Sequence, residues 1–486
     1  MTFVSELEPK ELWRHFDKIL TIPRGSKNEK AMADYVVEIA EKHGLSYKQD
    51  DIWNTVVKKP GTSGHESAPI TILQSHLDMV NEKNADVEHD FNNDPIKPRK
   101  EGGYLYAMGT TLGSDNGIGV ATALAIMEST DIEHGPLEFL FTVDEETGLT
   151  GAGNLRTDFL EGRRLINMDT EEEGSLYVGC AGGAGVNLTL PLQFDAVPAD
   201  SVTLDVKLHG LRGGHSGVDI HLQRGNAVKL LARALVAVKN SVDFHLASLT
   251  GGNMHNAIPR EAFAKVAVSS SDKDAFEKAL NEQFEAIRAE YKPADPEMKL
   301  SVSAVDDADK VFNDHIAMKL LDLLNALPHG VMSMSYDIPD LVETSSNLAT
   351  VKINDGILVI HVSNRSSVDS AIQAIQRRVM SIGRLAEVKV EEVEGYPGWK
   401  PNMDSHVLKV AKEMHKEALG KEPEIKAVHA GLECGIIGEK YPGMDMVSLG
   451  PQIEFPHSPD ERIRIGSVKD FYKLTVGILE QLAQDK

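Results

Sequence analysis

The chain has 486 residues, of which 41% are hydrophobic and 26% are charged, and its formal net charge is −24. This length exceeds one typical domain, and the composition excludes a disordered chain. Such a charge repels phosphate backbones, and no basic stripe with interleaved aromatic residues occurs, which argues against a nucleic-acid partner. Excess negative charge serves solubility in many proteins, and an acidic metal site would add to it.

The cysteines and the N-terminus bear on the cellular compartment. Cys180 and Cys434 form no CxxC pair, so the sequence indicates neither a disulfide framework nor a thiolate zinc site, and each is expected to be a small buried side chain. The opening residues lack a secretory signal, and no apolar run is long enough to cross a bilayer. We therefore expect a cytoplasmic protein without a membrane partner.

Helix and strand patterns alternate near both ends of the chain. The predicted helices are 29–43, 117–129, 404–418 and 467–484, and the predicted strands are 69–75, 137–143, 164–168 and 445–449. This alternation predicts an α/β fold, namely a three-layer domain with a mixed sheet.

The middle of the chain follows a different order. From residue 201 the pattern is strand, helix, strand, strand, helix, strand, and a related order follows from residue 313. Both stretches fit a ferredoxin-like βαββαβ layout, which predicts an inserted α+β domain of two such units. The predicted domains are 1–186 and 398–486 for the two parts of the α/β domain, and 187–397 for the insertion. Glycine-rich residues 179–185 and residues 394–399 are the expected hinges.

Short motifs place histidines and acids where predicted strands end. His76 and Asp78 follow the strand at 69–75 and share one face of an extended segment, so the carboxylate can orient the imidazole toward a metal. Asp115 ends a glycine-rich loop before a predicted helix. A helix N-cap would equally account for an acid at this position.

Three consecutive acids, Asp144, Glu145 and Glu146, follow the apolar strand LEFLFTV. They repel one another unless cations or water relieve the repulsion, so they indicate a metal site or a solvated loop. Asp169 follows the next strand, and His457 lies in a C-terminal loop. A single histidine in a loop does not by itself indicate a metal ligand, so His457 is a candidate only because the other motifs are present.

Two histidines and three carboxylates suit zinc, cobalt or manganese better than calcium or copper, and we expect zinc. Two divalent ions bring four positive charges, while Asp115, Glu146, Asp169 and a bridging hydroxide bring four negative ones, so such a site is neutral. Two ions about 3.5–4 Å apart activate water and polarise a carbonyl. A further carboxylate must move the water's proton, and Glu145 is the natural candidate.

These motifs resemble those of the M20 metallopeptidases, in the same order and with a large insertion before the last. They are HLD at 76–78, GSDNG at 113–117, DEE at 144–146, NMD at 167–169 and PHSPDE at 456–461. Four further stretches are similar to the bacterial aminoacyl-histidine dipeptidase group: GCAGG at 179–183, KLHGLRGGHSG at 207–217, NAIPREAFA at 256–264 and HAGLECG at 429–435. The resemblance implies a cytosolic dipeptidase that cleaves Xaa-His peptides, including β-alanyl-histidine.

The resemblance also implies which residues hold the ions. Asp115 would bridge two ions, His76 and Asp169 would share one of them, and Glu146 and His457 would share the other.

It implies further roles close to the ions. Asp78 would orient His76, and Glu145 would act as the general base and then as the general acid. The peptide bond between Asp115 and Asn116 would be cis.

The insertion corresponds to the family's lid. His215 would stabilise the oxyanion of the tetrahedral intermediate, although a turn-capping role would also explain it. Asn256 and Arg365 would hold the peptide backbone and the C-terminal carboxylate, with Arg260 as an alternative arginine. A doubled lid implies that one chain closes over its own site, and it leaves a homodimer open.

Other functions share some of these features. An M20-type aminoacylase, deacetylase or broader di- and tripeptidase would carry the same motifs, because specificity depends on the shape of the pocket. A non-catalytic metal-binding scaffold would lack a ligand or the base, and here all are present. The sequence has no GxxxxGK[ST] loop and no GxSxG motif, which argues against a nucleotide enzyme and a serine hydrolase.

Overall fold

The computed structural model describes residues 2–485, and the chain divides into two compact units. The first unit comprises Met1–Gly179, Trp399–Ala427 and Leu432–Lys486, and the second comprises Cys180–Gly398 and Val428–Gly431. The domain boundaries at 186/187 and 397/398 stay predictions, and the sequence did not predict the short return to the second unit at Val428–Gly431. Among residues 2–485, no helix is long and apolar enough to span a membrane.

An eight-stranded mixed sheet forms the centre of the first unit. In spatial order its strands are Ser46–Gln49, Thr55–Lys59, Leu137–Thr142, Thr71–His76, Arg164–Asn167, Asp445–Ser448, Ser175–Cys180 and Glu424–Val428. The third to sixth strands run parallel to one another, and the strands at 71–76 and 137–142 are buried along their whole length. Parallel strands point their carboxyl ends to one edge, so the segments that follow these strands meet there.

The first unit also contains helices. They are Lys10–Ile19, Lys30–Lys42, Ser114–Glu128, Glu145–Gly148, Thr150–Asn154, His406–Leu419, Glu433–Lys440 and Ile465–Leu482, with a 3-10 turn at Phe3–Glu6. The helix at 114–128 consists mainly of small and apolar residues, is buried over most of its length, and packs against the strand at 71–76. The predicted α/β class is confirmed.

A small antiparallel sheet in the first unit was not predicted. In spatial order its strands are Ile453–Glu454, Arg462–Arg464, Tyr104–Ala107 and Pro98–Glu101. It supports two loops, residues 108–113 ahead of Asp115 and residues 455–461 around His457. The strands have only two to four residues each, which is too short for an alternating pattern to show in the sequence.

The second unit contains a nine-stranded antiparallel sheet. Its strands are Lys299–Ala304, Ser201–His209, Ala262–Ser269, His245–Gly251, Val342–Asn354, Ile357–Ser366, Gly182–Pro191 and Lys389–Tyr396 in spatial order, with Gly330–Met334 paired to the fifth. Two further pairs join Phe194–Asp195 to Val311–Phe312 and Gly214–His215 to Ala257–Ile258. The helices are Ala227–Lys239, Lys273–Tyr291, Asp314–Ala326 and Asp369–Leu385, with a 3-10 turn at Ile220–Leu222.

This sheet consists of two ferredoxin-like halves, each with the spatial strand order 4-1-3-2. The halves join where Gly251 pairs with Val351, and one hydrophobic core extends through both. Two ferredoxin-like units were predicted, but in series. In the structure the halves are nested, because the first strand of the second half, Gly182–Pro191, precedes the whole first half.

The strand Gly182–Pro191 begins with three glycines among its first four residues, which is not typical of a strand, so the sequence did not indicate it. Residues 182–185 were expected to be part of a hinge, but they form the start of the strand. A Cβ on Gly183 would lie 2.7 Å from the ring of Tyr396, and one on Gly185 would lie 2.9 Å from the ring of His361. Close packing therefore requires glycine in a strand, where glycine is otherwise rare.

The core of the second unit gives a stability prediction. Phe276 is fully buried and meets Phe244 edge to face, with ring centroids 5.3 Å apart. Phe276→Ala should lower the free energy of unfolding by about 3–5 kcal/mol because it leaves a cavity. Tyr336→Ala, which removes a ring that is 98% exposed in the same unit, should change it by less than about 0.5 kcal/mol. Urea unfolding of both variants measures the difference, and equal effects would contradict the assigned core.

Candidate metal centre

Five side chains of the types that can bind metals meet in the first unit. His76 is the last residue of its strand, Glu146 lies in the short helix after the neighbouring strand, and Asp169 lies two residues beyond the third strand. Asp115 comes from the first turn of the buried helix, and His457 comes from the loop of the small sheet. The five residues predicted as ligands are therefore close together in the structure.

The atoms of these side chains that could bind a metal form two groups, and Asp115 belongs to both. In one group, Nε2 of His76 lies 3.1 Å from Oδ1 of Asp115 and 3.2 Å from Oδ1 of Asp169. In the other, Nε2 of His457 lies 3.2 Å from Oδ2 of Asp115 and 2.9 Å from Oε2 of Glu146. Within each group the potential ligand atoms all lie within 4.8 Å of one another. This grouping is the one that the family resemblance implies.

The chemistry of these side chains fits two divalent cations. Imidazole nitrogens and carboxylate oxygens together suit zinc, cobalt or manganese. Only 12% of the Asp115 side chain, 9% of Asp169 and 4% of Glu146 are exposed, so their negative charges are poorly screened by water. Among residues 2–485, Oε1 of Glu146 is buried without a hydrogen-bond partner. A cation would satisfy this atom and relieve the repulsion.

The pKa values respond to this concentration of charge. Hydrogen bonds to Asp115 and Glu146 raise the pKa of His457 to about 11. Burial and the charge of Asp115 raise the pKa of Glu146 to about 7. Burial alone would lower the pKa of His76, but Asp169 and Asp115 raise it well above its ordinary value. Both imidazoles therefore bind a proton tightly, and their positive charge partly offsets the negative charge of the carboxylates.

Asp78 is buried behind His76. Its Oδ1 lies 3.2 Å from Nδ1 of His76 and accepts a hydrogen bond from the backbone N–H of Glu145 at 3.1 Å, while Oδ2 accepts one from the N–H of Glu146 at 3.2 Å. The contact at Nδ1 fixes the ring so that Nε2 faces the other donors. Asp78 therefore joins the His76 strand to the turn that carries Glu145 and Glu146.

Glu145 lies beside the donor atoms, grouped with His76 and Glu146. Its carboxylate has no hydrogen bond or ion pair with the part of the chain that the structure describes. Burial raises the pKa of Glu145 well above its ordinary value, against the opposing charge of His76. A carboxylate that is uncommitted and has a high proton affinity can accept a proton and pass it on.

Asp144, the first of the three consecutive acids, shapes the turn. Its backbone has φ +48°, its N–H donates to Oε1 of Glu29 at 2.9 Å, and its Oδ1 accepts from Oγ1 of Thr147 at 2.5 Å. The peptide bond between Asp115 and Asn116 is cis, as expected. Asn116 donates from Nδ2 to the backbone carbonyl of Met168 at 2.8 Å and to Oδ1 of Asp169, which connects the Asp115 turn to the Asp169 turn.

The sequence reasoning missed two acids close to the centre. Glu171 lies beside Asp115, and burial together with the charge of Asp115 raises the pKa of Glu171 well above its ordinary value. Glu433 is fully buried, and its Oε2 accepts from Nε2 of Gln74 at 2.7 Å and from Oγ1 of Thr142 at 2.6 Å. Glu171 belongs to a run of acids and Glu433 to the HAGLECG stretch, and neither context distinguishes it from its neighbours.

In the second unit, the candidate substrate residues are close in space. The backbone of His215 pairs with Ala257, and the N–H of Ser216 donates to the carbonyl of Asn256 at 2.8 Å. Arg365 is 7% exposed and donates from Nη1 to the hydroxyl of Tyr396 at 2.8 Å. Its Nε is buried without a hydrogen-bond partner among residues 2–485. Arg260, the alternative arginine, is exposed.

The backbone selects one tautomer of His215. Its Nδ1 accepts from the N–H groups of Gly217 and Val218 at 3.2 and 3.1 Å, so the proton of the neutral ring is on Nε2. Burial and the charge of Arg365 lower the pKa of His215 to about 4. His429, which the sequence reasoning missed, is buried nearby in this unit with Nε2 2.7 Å from Oγ of Ser345.

The chain is similar to known proteins in sequence and in structure. A model of the peptidase family M20/M25/M40 matches residues 72–484. The cytosol non-specific dipeptidase of Escherichia coli is 42% identical over 488 residues, which cover 99% of this chain and 99% of that protein. The crystal structure of aminoacylhistidine dipeptidase from Vibrio alginolyticus matches with a TM-score of 0.91 at 42% identity, covering 99% of this chain and 98% of that chain. Aminopeptidase PepT from Bacillus cereus shares the fold, with a TM-score of 0.57 at 17% identity and coverage of 98% and 100%.

The donor groups predict the effect of removing His457. His457→Ala should reduce bound zinc from two ions per chain to about one, because it removes a donor from only one of the two groups. Elemental analysis after dialysis against a weak chelator measures the stoichiometry. His406→Ala, which changes an exposed histidine of the same unit, is the matched control, and two ions in both variants would exclude His457 as a ligand.

The tautomer of His215 gives a prediction about pH. The imidazole should stay neutral, with its proton on Nε2, from pH 9 down to about pH 5, because its pKa is lowered to about 4. Since the folded-state pKa is below the ordinary value of 6.5, this group should destabilise the fold as the pH falls from 6.5 toward 4. Nitrogen-15 NMR of labelled histidine reads the tautomer directly. A ring that becomes charged near pH 6.5 would contradict the assignment.

Proposed function

Because the chain belongs to the peptidase family M20/M25/M40, we propose that it is a metal-dependent dipeptidase whose substrates include Xaa-His peptides such as β-alanyl-histidine. One observation carries the proposal: two groups of donor atoms share Asp115, and the uncommitted carboxylate of Glu145 lies beside them. Peptide hydrolysis needs a polarised carbonyl, an activated water and a group that moves a proton.

The proposed ligands fall into two sets. His76, Asp115 and Asp169 would hold one ion, and Asp115, Glu146 and His457 would hold the other. We propose zinc, and cobalt or manganese would suit the same donors. When bound, two such ions lower the pKa of a water molecule and polarise the scissile carbonyl.

The residues of the chain supply the proton transfers. In the proposed mechanism Glu145 accepts the proton of the attacking water and then delivers it to the leaving amine, so that it acts first as base and then as acid. Asp78 holds the ring of His76 in the orientation that keeps Nε2 toward the donors.

The second unit supplies the proposed substrate contacts. His215 would donate from Nε2 to the oxyanion, and its neutral tautomer supports that role because Nε2 carries the proton. Arg365 would bind the C-terminal carboxylate, for which a guanidinium is suited by its planar set of donors. Asn256 would hold the peptide backbone.

The preference for histidine is the finer part of the proposal. The two relatives that are 42% identical have different names, a non-specific dipeptidase and an aminoacylhistidine dipeptidase. We propose that this chain cleaves Xaa-His dipeptides as part of a dipeptide range, and that it acts in the cytoplasm, as the name of the first relative states for that protein. An aminoacylase, a deacetylase and a tripeptidase are the alternatives within the same chemistry.

A peptide panel tests the proposal. Zinc-loaded protein is given β-alanyl-histidine, Gly-His, Gly-Leu, a tripeptide and an N-acetyl amino acid, with and without chelator. The proposal expects chelator-sensitive cleavage of the dipeptides, fastest for those that end in histidine. Cleavage confined to the tripeptide or to the N-acetyl amino acid would replace the substrate class. If the protein bound two ions but cleaved none of these compounds, the result would favour the alternative of a non-catalytic metal-binding scaffold.

Replacement of the proposed base separates chemistry from metal binding. Glu145→Gln should retain two ions but lower kcat by about 10²–10⁴-fold, the usual contribution of general acid–base catalysis. Elemental analysis and steady-state kinetics measure the two effects. Glu422→Gln, which makes the same change at an exposed glutamate of the first unit, is the control. If Glu145→Gln kept wild-type kcat, Glu145 would not be the base.

A further inference from the structure

Glu461 holds the loop that leads to Asp115. It is 2% exposed, and Oε2 accepts from the backbone N–H groups of Leu112 and Gly113 at 2.7 and 3.0 Å. Its Oε1 accepts from the N–H and the hydroxyl of Ser114 at 2.7 and 2.5 Å. A carboxylate is well suited here, since it only accepts hydrogen bonds and lies at the N-terminus of the helix at 114–128.

Glu461 is itself the last residue of the loop at 455–461, which carries His457. The backbone N–H of Glu461 donates to the carbonyl of Ser458 at 3.0 Å, and the next residue starts the strand Arg462–Arg464. Glu461 therefore joins the loop that carries His457 to the loop that carries Asp115. The side chains of His457 and Asp115 are themselves 3.2 Å apart.

Arg24 makes the second connection. It is 3% exposed, and its Nη1 donates to the carbonyls of Leu77 and Asp78 at 3.0 and 2.6 Å, while Nη2 donates to the carbonyl of Gly113. It thus joins the segment after His76 to the loop that Glu461 holds. A guanidinium can do this because its donors point in several fixed directions in one plane.

Arg24 also accounts for both glycines of the GSDNG motif. A Cβ on Gly113 would lie 2.6 Å from Nη2 of Arg24, and one on Gly117 would lie 2.7 Å from the same atom. Gly113 also has φ +71°, which favours glycine. The motif is therefore shaped around a buried arginine that comes from far away in the sequence.

We infer that Arg24 and Glu461 are positioning residues that fix the spacing of the His76, Asp115 and His457 segments, and so tune the affinity of both proposed ion positions. The inference rests on the proposed function. Neither side chain forms a hydrogen bond to a ligand side chain in the part of the chain that the structure describes. Their hydrogen bonds therefore act through the backbone of the three segments, while their charges also act on Asp115 through space.

The test is zinc affinity, measured by competition with a chromophoric chelator. In Glu461→Gln the amide NH₂ group must face N–H groups that now donate to a carboxylate, so the loop loses at least one bond. We expect zinc affinity to fall by about 10–100-fold, as for other residues that support metal ligands. Excess zinc should then restore peptide cleavage. Asp460→Asn, at the adjacent and exposed acid, removes the same charge and should bind zinc as the wild type does.

Arg24→Lys is the second variant, in case Glu461→Gln does not fold. A lysine has one nitrogen for three carbonyls, so it should weaken zinc binding in the same direction. The lost hydrogen bonds should also lower the unfolding midpoint, and urea unfolding shows whether the variant is folded. Wild-type affinity in either folded variant would overturn the inference. A wild-type protein that binds two zinc ions but cleaves no peptide would remove the proposed function only, because the inference is measured by affinity.

Discussion

Electrostatic repulsion among buried carboxylates is the constraint on which the first unit depends. Asp115 lies beside the imidazoles of both His76 and His457, while Asp169 lies beside His76 and Glu146 beside His457. Glu145 and Glu171 lie close to the same group. Bringing such charges together out of water is costly unless each finds a donor or a cation. The parallel strands bring Glu145, Glu146 and Asp169 together, since their carboxyl ends point to one edge, and the helix at 114–128 adds Asp115.

The surrounding structure relieves this repulsion in two ways. Carboxylates that do not face the centre are satisfied by hydrogen bonds, as Asp78 is by the N–H groups of Glu145 and Glu146 and Glu461 by the loop before Asp115. Within residues 2–485, those that face it form ion pairs only with His76 and His457. The carboxylates that face the centre are therefore those whose charge a cation would balance. The carboxylates that do not face it hold the surrounding loops in place.

Much of the fold and of the centre could be predicted from the sequence, because those features depend on residues that are close together in the chain. Acids directly after apolar strands indicated side chains that meet at the centre, and apolar periodicity predicted a helix at 29–43 where the structure has Lys30–Lys42. The predicted family is confirmed by the match over residues 72–484. What could not be predicted depends on distant contacts. Arg24 and Gly113 are 89 residues apart, and Leu112 and Glu461 are 349 residues apart.

Anomalous diffraction from crystals grown with zinc would test the central claim most directly, because it locates each ion independently of activity. The account predicts two zinc peaks per chain, one among His76, Asp115 and Asp169, and the other among Asp115, Glu146 and His457. A single peak, or a peak at the buried carboxylates of Glu29, Asp78 and Asp144, would contradict it.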